Sequence, residues 1–205
     1  RFSNWKPSAI KAFAVDDLSN LVAIGREDGN IDIHSPLEKW MSIAHISGRA
    51  DFNLRSLQWS KVNSEHGRLF GVSLNGFLFE VDLRELRIKN VRDSYGGTVW
   101  CLEANPGRHA DLAIGCDDGT LRVFNYSSNK LVYHKAFPSA GTRILSVSYH
   151  PKKPQLFYGC ADGIIRCIEE RSGKNLFRMT GDLIRGMPTI IWSLKVLSDG
   201  TVASG

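Results

Sequence analysis

The stretch "GCDDGTLRVFN", residues 115–125, sets Asp117 and Asp118 side by side ahead of Gly119. Adjacent carboxylates can hold a divalent cation through oxygen, or share acid and base roles. Cysteine is the next reactive type, with four copies at Cys101, Cys116, Cys160 and Cys167. Structural zinc takes thiolates in C-x-x-C pairs or with spaced histidines, and no such spacing occurs here. "SGK" at 172–174 lacks the upstream glycine of a phosphate-cradling loop. "YHP" at 149–151 ends an apolar run in a proline turn, which makes His150 a turn residue. No Ser, His and Asp fall in an order or local motif that would assemble a nucleophile. The reading is of a protein that is not an enzyme and needs no cofactor or metal.

The paired aspartates are decided by three further copies of the same shape. "AIGREDGNIDIHS" starts at Ala23, "FGVSLNGFLFEVDL" at Phe70 and "FYGCADGIIRCIEE" at Phe157. In each, an apolar run meets a polar-Gly pair and a second alternating run follows. Position 118 is Asp, but its counterpart in the second copy is Asn75, preceded by Leu74. A metal site or acid–base pair does not survive that change, whereas a hairpin turn does, because Gly accepts positive φ and Asp or Asn tolerates it. Asp28-Gly29, Asn75-Gly76, Asp118-Gly119 and Asp162-Gly163 are therefore read as structural turns.

The elements that position these turns repeat with them. The marker glycines lie 47, 43 and 44 residues apart, a spacing that signals propeller blades of several short strands each. Every unit reads as four strands: in the third, "TVWCLEANP", "DLAIGCDDG", "TLRVFNY" and "KLVYHKAFP". Alternation at period two, with Gly, Pro, Asn or Asp every 8 to 12 residues, leaves no room for a helix. Trp59, Trp100, Trp192 and Tyr149 fall in first strands, where large aromatics would pack between blades. The units run over 1–47, 48–94, 95–140 and 141–188, and 189–205 begins a fifth. The fold class is all-β: a WD-repeat β-propeller, here an incomplete arc of about four blades plus part of a fifth. Arg1 rather than Met opens the chain and the last hairpin stops midway, so a piece of a longer propeller is expected.

Composition narrows the class without choosing a function. Of 205 residues, 42% are hydrophobic and 23% charged, ordinary for a globular protein. No apolar stretch approaches the roughly 20 residues of a membrane-spanning helix. The net charge of +5 permits contact with nucleic acid, yet the 26 Lys and Arg form no run.

The units resemble WD repeats in turn and strand pattern, with departures. The third strands end "IHS", "EVD", "VFN" and "CIE" in place of Trp-Asp, and no Gly-His precedes the first strands. A narrower likeness follows. "RF" at the start, "PSAIKA" from Pro7, "REDGNI" from Arg26, "RLFGVSLNGFLFEVDL" from Arg68, "DSYGGTVW" from Asp93, "GCDDG" from Gly115, "RILSVSYHP" from Arg143 and "LSDGT" from Leu197 fall in order. Together they resemble the N-terminal propeller of the cirhin family, nucleolar WD-repeat proteins.

The resemblance implies a subunit of the UtpA assembly of the small-subunit processome, a non-catalytic scaffold that supports small-subunit rRNA processing in the nucleolus. Its implied partners are other WD-repeat and helical subunits of that assembly and early pre-ribosomal RNA, with no membrane and no small-molecule substrate. The candidate RNA contacts are Arg84, Arg87, Lys89 and Arg92 in one unit, Lys152 and Lys153 in another, and Arg171, Lys174 and Arg178 in a third. The competing reading is a generic protein-interaction propeller, such as a substrate receptor of a ubiquitin ligase. Fold alone does not separate the two.

Overall fold

Short alternating runs broken by Asp-Gly and Asn-Gly pair most readily as antiparallel hairpins. The computed structural model, which describes residues 8–16, 18–49, 52–60, 67–107, 109–181 and 183–205, has that arrangement throughout. The first sheet holds β1 (Ile10–Asp16), β2 (Leu21–Arg26), β3 (Ile31–Ser35) and β4 (Met41–Ile46). The second holds β5 (Leu54–Ser60), β6 (Arg68–Ser73), β7 (Phe77–Asp82) and β8 (Arg87–Asp93). The third is β9 (Val99–Ala104), β10 (Asp111–Cys116), β11 (Leu121–Asn125) and β12 (Val132–Ala136). The fourth is β13 (Ile144–Tyr149), β14 (Gln155–Cys160), β15 (Ile164–Glu169) and β16 (Asn175–Thr180). Two ribbons follow, β17 (Leu183–Ile184) with β18 (Met187–Pro188), and β19 (Leu194–Val196) with β20 (Val202–Ser204).

Each four-stranded sheet is an antiparallel meander in chain order. The first strands stand side by side along the inner edge, β1 against β5, β5 against β9, β9 against β13 and β13 against β19. The chain is all-β, an open propeller arc of four blades and the start of a fifth. Among the described residues there is no α-helix, only a 3-10 turn at Pro36–Glu38. Arg1, Phe2 and Pro7, which carried part of the resemblance, lie outside the described residues. So do Asp17 and Asp182.

The core lies between blades rather than within them. Ala12, Ala14 and Ile33 of the first blade pack against Leu57, Trp59 and Phe79 of the second. Phe70 and Leu78 meet Val99, Leu112 and Phe124 of the third, and Cys101 and Val123 meet Ile144 and Tyr158 of the fourth. Phe157 and Cys167 close on Ile191 and Leu194 of the fifth. Middle strands are covered on both faces, so "LAIGC" and "LFYGC" read as unbroken apolar runs. The outer β12 and β16 are mostly exposed and read as mixed. Gly159 shows how tightly blades approach: a Cβ there would lie 2.3 Å from Ile191 and 2.5 Å from the Ser146 hydroxyl.

Polar fastening supplements this packing between the second and third blades. Glu80, 3% exposed, accepts two bonds from Arg68 at 2.8 Å and one from the Asn90 amide at 2.7 Å. Arg68 also donates to the Tyr126 carbonyl of the third blade at 2.5 Å.

The aromatic expectation needs correction at two positions. Trp59 is buried between blades and donates its indole N–H to the Ala14 carbonyl at 3.2 Å, and Tyr149 is buried in β13. Trp100, the second residue of β9, is only half-buried, and Trp192 precedes β19 at 50% exposure. Both occupy a repeat position that turns side chains away from the blade interface.

Candidate functional site

An antiparallel meander sorts its connections between two ends. The second-to-third-strand hairpins and the links to the next blade share one end, here the hairpin end. The remaining turns lie at the opposite end. Hydrogen bonds tie each hairpin to the entrance of its own first strand: Glu27 N–H to the Ala9 carbonyl, Leu74 to Asn53, Asp117 to Thr98 and Ala161 to Arg143.

At that entrance each complete blade has a β-bulge. Ile10 and Ala12 pair with Arg26 and Gly25, skipping Lys11, and Leu54 and Ser56 pair with Ser73 and Val72, skipping Arg55. Trp100 is skipped between Val99 and Cys101, and Leu145 between Ile144 and Ser146. A bulged residue has no ladder partner, and its side chain is aimed off the pleat. Trp192 takes the same place in the fifth unit, one residue ahead of Ser193, which pairs with Gly205.

Because the first strands converge, three of these side chains meet. The Trp100 and Trp192 rings lie 6.2 Å apart at 65°, an edge-to-face pair. The Arg55 guanidinium stands 5.9 Å from the Trp100 centroid and 6.0 Å from that of Trp192, within cation–π range, and its Nε donates to the Trp100 carbonyl at 3.2 Å. Arg143 approaches Trp100 from the fourth blade at 6.0 Å. Asp117 organises that side: one carboxylate oxygen accepts the Trp100 indole N–H at 3.0 Å and pairs with Arg143 at 2.8 Å. Among the described residues Arg55 has no ion-pair partner, so the cluster holds two cations against one anion. Deeper along the inner edge, Lys195 reaches across the fourth blade to Glu103 at 2.7 Å. Burial pushes the Glu103 carboxyl up, and Lys195 offsets this in part.

The hairpin residues are occupied locally. Gly29, Gly76, Gly119 and Gly163 have φ of 82°, 89°, 78° and 76°. Asp28 accepts from the Asn30 backbone at 3.1 Å, and Asp118 accepts the Thr120 N–H at 2.9 Å and pairs with Arg122 at 2.8 Å. Asp162 bonds Ile164 at 3.1 Å and pairs with Arg166 at 2.6 Å. Partial burial opposes charge on Asp118 and Asp162, but these bonds outweigh it and hold both carboxyls below the usual range. Asn75 instead accepts the Asn53 N–H of the preceding link at 3.0 Å. Asp117 therefore does more than turn the chain, a role missed in the sequence because Trp100 and Arg143 lie far from it.

The basic candidates are dispersed. Arg87 pairs with Glu85 at 2.5 Å, and the Lys89 ammonium holds the Asp82 carboxyl down at about 2. Arg92 donates to the Leu131 carbonyl of the next blade at 2.9 Å. Arg84, Lys152, Lys153, Arg171 and Lys174 are exposed on turns at the opposite end, and Arg178 is exposed on β16. His150 is buried and accepts the Lys152 and Lys153 N–H groups at 3.0 and 3.2 Å through Nδ1.

All four cysteines are buried with free thiols. Burial pushes Cys116 up to about 12 and Cys160 and Cys167 to about 11, so none presents a thiolate at neutral pH. Among the described residues no three His, Cys, Asp or Glu are grouped to hold a metal ion.

No protein-family profile matches the chain. Across its whole length it is 32% identical to the U3 small nucleolar RNA-associated protein 4 homolog of Homo sapiens, covering 29% of that protein. It is 32% identical to U3 small nucleolar RNA-associated protein 4 of Schizosaccharomyces pombe, covering 30% of it. Its identity to the protein of that name in Saccharomyces cerevisiae is 30%, over 28% of that protein's length. The chain spans less than a third of the length of the curated relatives it matches.

Proposed function

We propose that the chain is a propeller segment of a U3 small nucleolar RNA-associated protein 4, the cirhin family, acting as a non-catalytic scaffold in a nucleolar ribonucleoprotein. That particle assembles on early pre-ribosomal RNA and supports small-subunit rRNA processing. The partners are other WD-repeat and helical subunits of the UtpA assembly and the transcript itself. The observation that carries this reading is identity near 30%, spread over the whole chain, to proteins so named in human and two yeasts. The geometry is in keeping with it: the hairpin carboxylates are spent on turns, and the thiols are buried. The exposed features include turn cations at one end and an aromatic and cationic rim at the other.

The test is affinity purification of the tagged full-length protein from cells at high salt. U3 RNA, the 5′ part of the pre-ribosomal transcript and other propeller proteins should be enriched together, and depletion of the protein should leave that transcript unprocessed. Recovery of cullin adaptors without U3 RNA would replace the reading with that of a ubiquitin-ligase receptor.

A further inference from the structure

We propose that the rim built by Arg55, Trp100, Arg143 and Trp192 binds one unpaired nucleotide of single-stranded RNA, with the base against the Trp192 indole and the phosphate on Arg55. The inference deepens the function proposed above and rests on it for the identity of the polymer.

Four observations carry it. Trp192, like Arg55 and Trp100, stands at the bulge position of a first strand, where the side chain is turned off the pleat, and it is half exposed. The two indoles meet edge to face, which leaves at least one face of each ring uncovered by the other. Arg55 lies about 6 Å from both rings and makes no ion pair among the described residues, so its guanidinium fork remains open to an anion. Arg143 is fixed beside Trp100 by Asp117, and the cluster keeps one net positive charge. A nucleotide answers both demands, since its base has a π face and its phosphate a charge within one residue's length. An acidic peptide meets only the charge, and a proline-rich peptide only the rings.

The experiment uses the full-length protein and two fluorescein-labelled strands of about twelve units, oligouridylate and an abasic ribose-phosphate of equal length. Affinity is read by anisotropy across a salt series. Trp192→Ala should weaken oligouridylate binding about tenfold, in the range of one lost stacking contact, and change abasic binding less than about twofold. Trp192→Phe should keep most of the affinity. Arg55→Gln should weaken both strands and flatten the slope of log affinity against log salt by about 0.7. Equal effects of Trp192→Ala on both strands, no effect on either, or wild-type protein that does not prefer oligouridylate would each overturn the proposal. Loss of a co-purified protein with RNA affinity unchanged would also overturn it and give the rim to a peptide. The functional reading is scored separately: base-dependent binding by a protein that recovers no U3 RNA from cells sinks that reading and leaves the rim standing. U3 recovery with unchanged RNA affinity in Trp192→Ala does the reverse.

Discussion

Glu80 is the sharpest test of how the second and third blades are fastened. Its carboxylate is almost fully buried on β7 and holds the Arg68 fork and the Asn90 amide, while Arg68 reaches Tyr126 in the third blade. Glu80→Ala removes the acceptor and leaves a guanidinium that is 23% exposed facing an apolar gap. Breaking a buried pair from one side costs about 3–5 kcal/mol. Arg68 keeps its carbonyl contact and some access to water, so about 3 kcal/mol applies. For a cooperative unit of about 150–250 residues that is a fall of about 6–12 °C in Tm, and proportionately less for a larger one. The double variant Arg68→Met with Glu80→Met leaves no unpaired charge and should stay within about 1 kcal/mol of the starting protein. The assay is thermal unfolding of the full-length protein and the single and double variants, followed by tryptophan fluorescence, closed as a double-mutant cycle. Melting of Glu80→Ala within about 2 °C of wild type would refute the reasoning. So would a double variant that loses the sum of the two single effects.

Four other outcomes follow from the same structure. Gly119→Val puts a branched side chain at φ of 78° with its Cβ 2.7 Å from the Thr142 carbonyl, so strain of order 1–3 kcal/mol should lower the Tm. Asp118→Asn should cost less than about 1 kcal/mol, since it gives up only a partly exposed pair with Arg122, and equal melting of these two variants would defeat the turn argument. Burial, then Lys153 and Lys152, pushes His150 below its ordinary value, so the unfolded chain takes up the proton first. Its contribution is complete above about pH 6.5 and is lost as pH falls below that. His150→Asn should flatten the stability slope between pH 7 and 5, and an unchanged slope would exclude His150 as its source. Finally, Lys152→Glu with Lys153→Glu should weaken unrelated RNA sequences about equally and reduce the salt slope. Loss restricted to one sequence would contradict a phosphate role.

The strands were legible because alternation at period two and a polar-Gly pair are local signals, and each survives in all four units. The face-to-face stacking was legible through the unbroken runs of β10 and β14, which need cover on both sides. The rim was not. A bulge adds one residue without disturbing the local pattern, so "TVWCLEANP" looks like a straight strand while Trp100 is turned out of it. Arg55, Arg143 and Trp192 meet only because inner strands from four blades converge. One signal was available: superposing the repeats puts Lys11, Arg55, Trp100, Leu145 and Trp192 in a single column, an odd mixture beside apolar and small neighbours. Among the cations, Arg87 and Lys89 stand within a few residues of Glu85 and Asp82, so their pairing was readable. The reach of Arg92 to the next blade was not.

The bulge has a consequence for how such a protein can change. A residue skipped by the ladder contributes no backbone pairing, and here a lysine, an arginine, a tryptophan and a leucine occupy that place while the flanking pairs keep equivalent registers. Side-chain identity at this position is thereby separated from the pairing requirements of the sheet. Where the bulged side chain lies in solvent, as at Lys11, substitution alters what the inner mouth displays without reopening a packed layer, whereas Leu145 is buried and held by packing. A new binding preference can thus be acquired one blade at a time, at a position the strand ladder does not constrain.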